Sequence, residues 1–391
     1  MFKQAKVCFI ITGLTSGGAE SMLLKLLERI DRAKFSPDVI SLTDIGVIGP
    51  RMAALGVPVG VIGMNPGVPD PRGVFRLMSR LREIRPDIVH TWMYHADLLG
   101  GLAARLSAVP AIAWNIRNSD LSPGKTKWGT RVVVRACASL STVIPDRIIC
   151  CSMTAQRVHT DLGYDPSLFV VIPNGFDLER FHSDEASRAD VRRELAIPEK
   201  SPVIGLIARF DPQKNHQGFF EAAGRLHTQR PDVHFLLAGE GVETINPAIA
   251  AWMAEAGIGS VTHLLGLRED ISRLTAALDI ASSSSWGEAF PNVVGEAMAC
   301  GVPCVVTDVG DSAYIVGDTG RVVPSGDPRA LADTCAELLA LPESERRALG
   351  ERARARVKEN FELGSVVKRY EAFYDELVEL GRKNPRRYCR K

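Results

Sequence analysis

Two trains of short β-branched segments, each alternating with longer amphipathic stretches, constrain this chain more than anything else in it. A break near residues 175–200 separates them. In the first train, strands are expected near Lys6–Thr12, Asp38–Leu42, Val57–Ile62, Ile88–Thr91, Ala111–Asn115 and Arg147–Cys151. Helical spacing is clearest over Ala19–Ile30, where Met22, Leu23, Leu26, Leu27 and Ile30 recur on one face. Gly56, Pro58, Pro86, Pro110 and Pro145 punctuate the junctions. The rhythm then lapses: Pro173-Asn174-Gly175 turns the chain, and Asp184–Lys200 is charged and helical-looking, without a strong core face. It resumes through Val203–Ala208, Phe235–Ala238, Val261–Leu264, Ile280–Ser283 and Pro303–Val306. This is the pattern of an α/β chain with two doubly wound, Rossmann-like domains, and 391 residues suits two domains of about 150–200 each. From Pro328 the sequence reads as helical to about Leu380, with a crossing back over the first domain as one use for that tail. The limits expected are 1–178, 179–365, and a final helix with basic tail over 366–391.

Composition excludes several classes. Hydrophobic residues at 46% and charged residues at 24% rule out a disordered chain, and 47 Lys+Arg against 46 Asp+Glu leave no overall basic footprint for nucleic acid. The eight cysteines are scattered, with no CxxC pair and no zinc spacing, as expected of free thiols in a reducing cytoplasm. The run Val7–Thr12 is short and leads directly into glycines, which reads as a first buried strand and not a signal peptide. No membrane span is expected, because the most apolar stretch, 96–115, contains Asp97, Arg105 and Pro110.

Ligands of open α/β sheets collect outside the carboxyl ends of the strands, and five strand-to-helix junctions carry suitable residues. Gly13-Leu-Thr-Ser-Gly17-Gly18-Ala19-Glu20 opens the first helix and offers free N–H groups to an anion, although it is neither GxGxxG nor a P-loop. His95 falls at the start of a helix after the fourth strand, where the dipole favours neutral imidazole, whereas His90 lies inside the strand as a core histidine. Arg209 and Lys214 follow the strand that opens the second domain and suit a diphosphate. Leu237-Ala238-Gly239-Glu240-Gly241 and Leu265-Gly266-Leu267-Arg268-Glu269-Asp270 offer backbone groups to a nucleobase edge. The most specific junction is Ser285–Ala297. There Pro291 suits the first turn of a helix, Glu288 precedes it, Glu296 sits on it, and the N–H groups near Asn292 and Val293 suit phosphate.

The pair Glu288 and Glu296, with Arg209, Lys214 and the Gly17-Gly18-Ala19-Glu20 turn, closely resembles the retaining nucleotide-sugar glycosyltransferases of family 4, which have the GT-B fold. The resemblance extends over essentially the whole chain. It implies an N-terminal acceptor-binding domain and a C-terminal donor-binding domain facing across a cleft, with the last helix packed on the first. Arg209 and Lys214 would hold the donor diphosphate, Glu288 the transferred sugar and Glu296 the ribose. Phe290, Asn292 and Val293 would give backbone contacts, Gly239, Leu267 and Arg268 would lie along the donor, and Gly17 and Gly18 would approach the diphosphate. Many relatives carry His-x-His at the end of the fourth strand. Here the second position is Trp92, so His95 is assigned the cleft role and placed with Arg209, Lys214 and Glu288 as catalytic.

The implied reaction is transfer of a sugar from a nucleotide diphosphate sugar, a UDP-sugar in the first instance, with retention and without a metal. No Asp-x-Asp triplet is present, and two cations take the metal's place. A saccharide or lipid-linked saccharide acceptor in polysaccharide, lipopolysaccharide or glycolipid assembly is implied by the resemblance. Asn118, Lys125, Lys127 and Trp128, on and after a polar loop, are its candidate binding residues. Lys125, Lys127, Arg131 and Arg135 around Trp128, and the basic tail, suit peripheral contact with an anionic membrane face or form a plain solvated surface. The alternatives are a nucleotide-sugar 2-epimerase or a phosphorylase on the same scaffold, or a non-catalytic nucleotide-sugar-binding partner.

Overall fold

A computed structural model describes residues 4–65, 71–121 and 126–383. The chain forms two compact units, one of residues 1–175 with 363–391 and one of 176–362.

In the first unit, seven strands run β1 (Ala5–Ile11), β2 (Phe35–Ser41), β3 (Val59–Val61), β4 (Ile88–Trp92), β5 (Ala111–Ile116), β6 (Arg147–Cys150) and β7 (Phe169–Val171). All pairings are parallel, in the order β3-β2-β1-β4-β5-β6-β7. The order reverses direction between β1 and β4, which is where a doubly wound sheet opens a crevice for ligand. Both faces are covered. Val7, Phe9 and Ile11 point into one core, with the helix Gly18–Arg29 and the helix Leu363–Lys383. Cys8 and Ile10 point into the other, with Leu77, Leu81 and Ala103. The last helix therefore belongs to the first unit, burying Val366, Val367, Tyr370, Phe373, Tyr374 and Leu377 at helical spacing.

The second unit carries β8 (Val203–Ile207), β9 (His234–Ala238), β10 (Thr262–Leu264), β11 (Ile280–Ser283), β12 (Cys304–Thr307) and β13 (Arg321–Val323). These too are parallel, in the order β10-β9-β8-β11-β12-β13, with the reversal between β8 and β11. Gly205 lets β8 lie against Leu278, whose side chain would stand 2.4 Å from an added Cβ.

Three features differ from the sequence reading. The charged stretch after the break is the helix Glu185–Glu194, an integral part of the second unit. It is fastened by wholly buried Val191 and by Arg188 and Arg192, which reach Asp279 at 2.7 and 2.8 Å. β7 and β13 are additional strands, three residues each at sheet edges. The helical tail is three helices, Pro328–Ala340, Glu343–Asn360 and Leu363–Lys383, because Leu341-Pro342 and Phe361-Glu362 interrupt it.

Candidate functional site

In the second unit the site is built across the reversal between β8 and β11. After β8 the chain passes Arg209 and enters a short 3-10 helix, Pro212–Lys214, capped by Asp211. Asn215 then takes a left-handed conformation (φ 50, ψ 54) and caps the helix His216–Gln229 through its side chain. After β11 comes the loop Ser284–Phe290. Three hydrogen bonds lace the two loops together: Ser284 Oγ donates to the carbonyls of Lys214 (3.0 Å) and Asn215 (3.1 Å), and Trp286 N donates to the Gln213 carbonyl (2.7 Å).

The lacing brings together two residues that lie 74 positions apart. Lys214 Nζ donates to Glu288 Oε1 at 2.5 Å, and Ser285 Oγ donates to the same oxygen at 2.8 Å. The pair is sheltered, with Lys214 23% and Glu288 11% exposed, so its charges are little screened. Arg209 is half-exposed and turns to Asp211 at 3.1 Å. Glu296 lies on the helix Asn292–Ala299 and lines a small depression with Gly205, Ile207, Ser282 and Val293. Pro291 is the residue before that helix, not part of its first turn, so Asn292 is the first helical residue. The Phe290 ring is buried and stacked on Phe176 at 6.2 Å, which leaves only its backbone to a ligand. Gly239 is required where it stands: at φ +155, an added Cβ would meet the Ala208 carbonyl oxygen at 2.1 Å. Leu267 is exposed. The Arg268 guanidinium is taken up by Asp270 at 2.7 Å and Glu194 at 3.1 Å, so its side chain is occupied by an ion network that also includes Arg273.

The first unit carries its candidates at the carboxyl ends of β1, β4 and β5. Gly17 and Gly18 open the helix Gly18–Arg29, and the Glu20 carboxylate folds back so closely that a Cβ on Gly17 would lie 2.4 Å from it. The Glu20 carboxylate also accepts from Thr15 Oγ1 at 3.2 Å, so a negative charge lies beside the turn expected to meet a diphosphate. His95 is the second residue of the helix Tyr94–Leu106, and burial, more than position, holds its imidazole below the ordinary value. His90 is wholly buried; its Nδ1 lies 2.9 Å from the Tyr374 hydroxyl, and burial, aided by the Arg117 charge, pushes it down to about 3. Trp92 is also wholly buried, stacked on Tyr370 and beneath the Arg117 guanidinium. Asn118 closes a local turn with Asp120, while Lys127 and Trp128 are exposed at the start of the helix Trp128–Leu140, Trp128 at 77%. Lys125 lies outside the described residues, as do the last residues of the basic tail.

One feature of this unit left no trace in the sequence reading. Met93, between Trp92 and His95, has φ 73 and ψ 153, a region almost reserved for glycine that costs about 1–3 kcal/mol. The surroundings over-determine it. Met93 N donates to the Asn115 carbonyl at 3.0 Å, and Asp97 N to the Met93 carbonyl at 2.9 Å. Asp97 Oδ1 accepts from Thr91 Oγ1 at 2.6 Å and from Asn115 N at 3.3 Å. Burial raises the Asp97 carboxyl well above the ordinary range. Comparing Met93→Gly with Met93→Ala isolates the strain, since both lose the side chain. Chemical denaturation is expected to find the glycine variant more stable by about 1 kcal/mol or more. The usual order, alanine ahead, would mean that the turn is unstrained.

Residues 16–180 match the family described as Glycosyltransferase Family 4, and residues 201–341 match the Glycosyl transferases group 1 family. The UDP-Gal:alpha-D-GlcNAc-diphosphoundecaprenol alpha-1,3-galactosyltransferase of Escherichia coli is 28% identical over 253 residues, 64% of this chain and 65% of that protein. The N-acetyl-alpha-D-glucosaminyl L-malate synthase of Bacillus anthracis is 33% identical over 190 residues, 48% and 49% of the two chains. The match thus spans less than two thirds of either relative's length. Among solved structures, Anabaena Alr3699/HepE in complex with UDP-glucose superposes with a TM-score of 0.83 at 22% identity, over 95% of this chain and all of that one. Sucrose-phosphate synthase from Thermosynechococcus elongatus gives 0.79 at 19% identity, over 96% of this chain and 100% of that one. The fold is GT-B. The chain belongs to the family 4 glycosyltransferases.

Proposed function

We propose that this chain is a retaining, metal-independent glycosyltransferase that moves a sugar from a UDP-sugar to a saccharide or lipid-linked saccharide acceptor in glycan or glycolipid assembly. The observation that carries the reading is the Lys214–Glu288–Ser285 cluster at the reversal of the second sheet, with Arg209 at the same strand end. A sheltered cation held by a carboxylate is already placed to meet a leaving diphosphate, the largest electrostatic demand of such a transfer. Glu288, one carboxylate oxygen of which accepts from Lys214 and Ser285, orients the sugar through its hydroxyls. Glu296, beside the depression, takes the ribose, and the N–H groups at Asn292 and Val293 take phosphate. The acceptor hydroxyl attacks from the face the nucleotide leaves, which retains configuration.

Residues 179–365 form the donor domain in this reading and 1–178 the acceptor domain, with Gly17, Gly18 and His95 at the reacting end and Asn118, Lys127 and Trp128 toward the acceptor. The E. coli relative is named for a UDP-Gal donor and a diphosphoundecaprenol-linked acceptor, and the HepE structure contains UDP-glucose, which supports a UDP-sugar and a lipid-linked acceptor here. Among the described residues, no helix is long and apolar enough to cross a membrane. Exposed Trp128 and the basic residues of its helix support peripheral contact at the cytoplasmic membrane face. The relatives described above give no support to an epimerase.

A thermal-shift series with UDP, GDP and ADP and their sugar conjugates tests the reading, since a ligand that binds the folded chain raises its melting point. UDP and one UDP-sugar are expected to shift it, and EDTA is expected to leave both the shift and turnover intact. A flat response to every nucleotide, or EDTA inactivation reversed by Mg²⁺, counts against it.

A further inference from the structure

The first unit holds a cation that no carboxylate among the described residues neutralises. Arg117 follows β5, beside the end of β4 and close to the reversal of the sheet. Its guanidinium is only partly exposed, and its immediate neighbours are buried: Trp92, Asn115 and Tyr370 completely, Asn174 all but 4%. Nη2 donates to Asn174 Oδ1, and the guanidinium carbon lies 5.0 Å from the Trp92 ring centroid. Nη1 is buried with no hydrogen-bond partner, and no carboxylate among the described residues pairs with this arginine. The charge is felt unscreened inside the fold: it helps keep the buried His90 imidazole neutral and opposes the effect of burial on the Tyr370 hydroxyl.

Withdrawing a guanidinium from water without an anion is costly, and a neutral amide and an aromatic face repay only part of it. What they do achieve is orientation. Asn174 fixes one edge, Trp92 fixes the plane, and the Nη1 N–H groups are left over. Trp92 stands where the resemblance leads one to expect histidine, and here it serves as the platform for an arginine.

We propose that Arg117 is an anion-binding residue of the first unit that takes a phosphoryl oxygen of a substrate. The proposal rests on the nucleotide-sugar reading for its choice of ligand. The phosphate comes from one of two sources, the donor diphosphate or a phosphate-linked acceptor. Either way the bound anion supplies the missing counter-charge, and this unit gains a phosphate contact to match Arg209 and Lys214 in the other.

Calorimetric titration of the full chain separates the sources. Uridine, UDP, and inorganic pyrophosphate added to UDP-saturated protein serve as probes against wild type, Arg117→Gln, Arg117→Lys and Lys214→Ala. A donor contact makes Arg117→Gln bind UDP roughly 10–100-fold more weakly, with uridine unchanged and Arg117→Lys in between. An acceptor contact leaves UDP binding intact and removes the pyrophosphate binding that UDP-saturated wild type shows. Titrations of Arg117→Gln with UDP and with pyrophosphate that superimpose on wild type overturn the proposal, as does wild-type UDP affinity with no pyrophosphate binding in either protein. Should Arg117→Gln fail to fold, unchanged affinities in Arg117→Lys decide against it equally. Loss of UDP binding in Lys214→Ala alone, with pyrophosphate binding unchanged in Arg117→Gln, refutes Arg117 and spares the nucleotide-sugar reading. A wild type that ignores every nucleotide refutes that reading instead.

Discussion

Lys214→Ala lowers turnover by roughly 10²–10³-fold with the donor that the nucleotide screen selects, the loss expected when one preorganised charge is taken from a developing anion. Lys214 is a strong candidate for so large an effect because it is held in position before any substrate arrives. Its ammonium sits 2.5 Å from Glu288, and its own carbonyl is tied to Ser284. The variant also leaves Glu288 with Ser285 as its remaining partner in this cluster, so the carboxylate that is to orient the sugar loses its anchor. Turnover is therefore expected to fall further than donor affinity. Lys214→Arg keeps the charge and should recover part of the activity. Unchanged kcat in Lys214→Ala would remove this lysine from the reaction and with it the main support for the donor assignment.

The largest effect on stability is expected at Asp279. Its carboxylate accepts from Arg188 at 2.7 Å, from Arg192 at 2.8 Å and from the backbone N–H of Val203 at 2.8 Å. The Arg192 side chain is only 7% exposed. Asp279→Ala therefore strands two guanidinium groups and a strand N–H at once. Breaking such a buried cluster from one side costs about 3–5 kcal/mol, a fall in melting temperature of roughly 6–20 °C for a unit of this size. The helix Glu185–Glu194 should loosen with it, because Arg188 and Arg192 are two of its anchors. A shift under about 2 °C would mean that packing alone seats this helix.

Much of the architecture could be read from the chain because the physics that forms it is local. A buried parallel strand needs a run of apolar, β-branched residues, and Val7–Ile11 or Phe235–Ala238 announce themselves in that way. Phe169–Val171 and Arg321–Val323 do not, since edge strands of three residues bury little and have no room to show a pattern. The charged helix after the break looked unanchored because its anchors are arginines, whose partner Asp279 lies 87 residues beyond Arg192.

The site divides along the same line. Lys214 and Glu288 stand out as charges on ligand-facing loops, but their contact depends on how β8 and β11 come together. The strain at Met93 has no signal in residue type, since nothing about methionine suggests a glycine-like backbone. Arg117 lies in the polar stretch that follows β5, among residues of ordinary loop composition. What distinguishes it is the lack of a counter-charge, a property of its surroundings and not of its neighbours in sequence. Arg268 shows the reverse, a conspicuous cation that the fold has already neutralised.

The helix Leu363–Lys383 has a bearing on how the molecule is made. It closes one face of the first unit's core over Phe9 and Phe35, yet it is translated only after the whole of the second unit. A ribosome that has finished residue 175 has made all seven strands of the sheet, but one flank then has only the helix Gly18–Arg29 for cover, and about 190 more residues must follow before the rest arrives. For that interval Phe9, Phe35 and His90 lack the Tyr374 ring and hydroxyl that they contact in the finished unit. Arrival of Leu363–Lys383, more than completion of the sheet, is what closes this core.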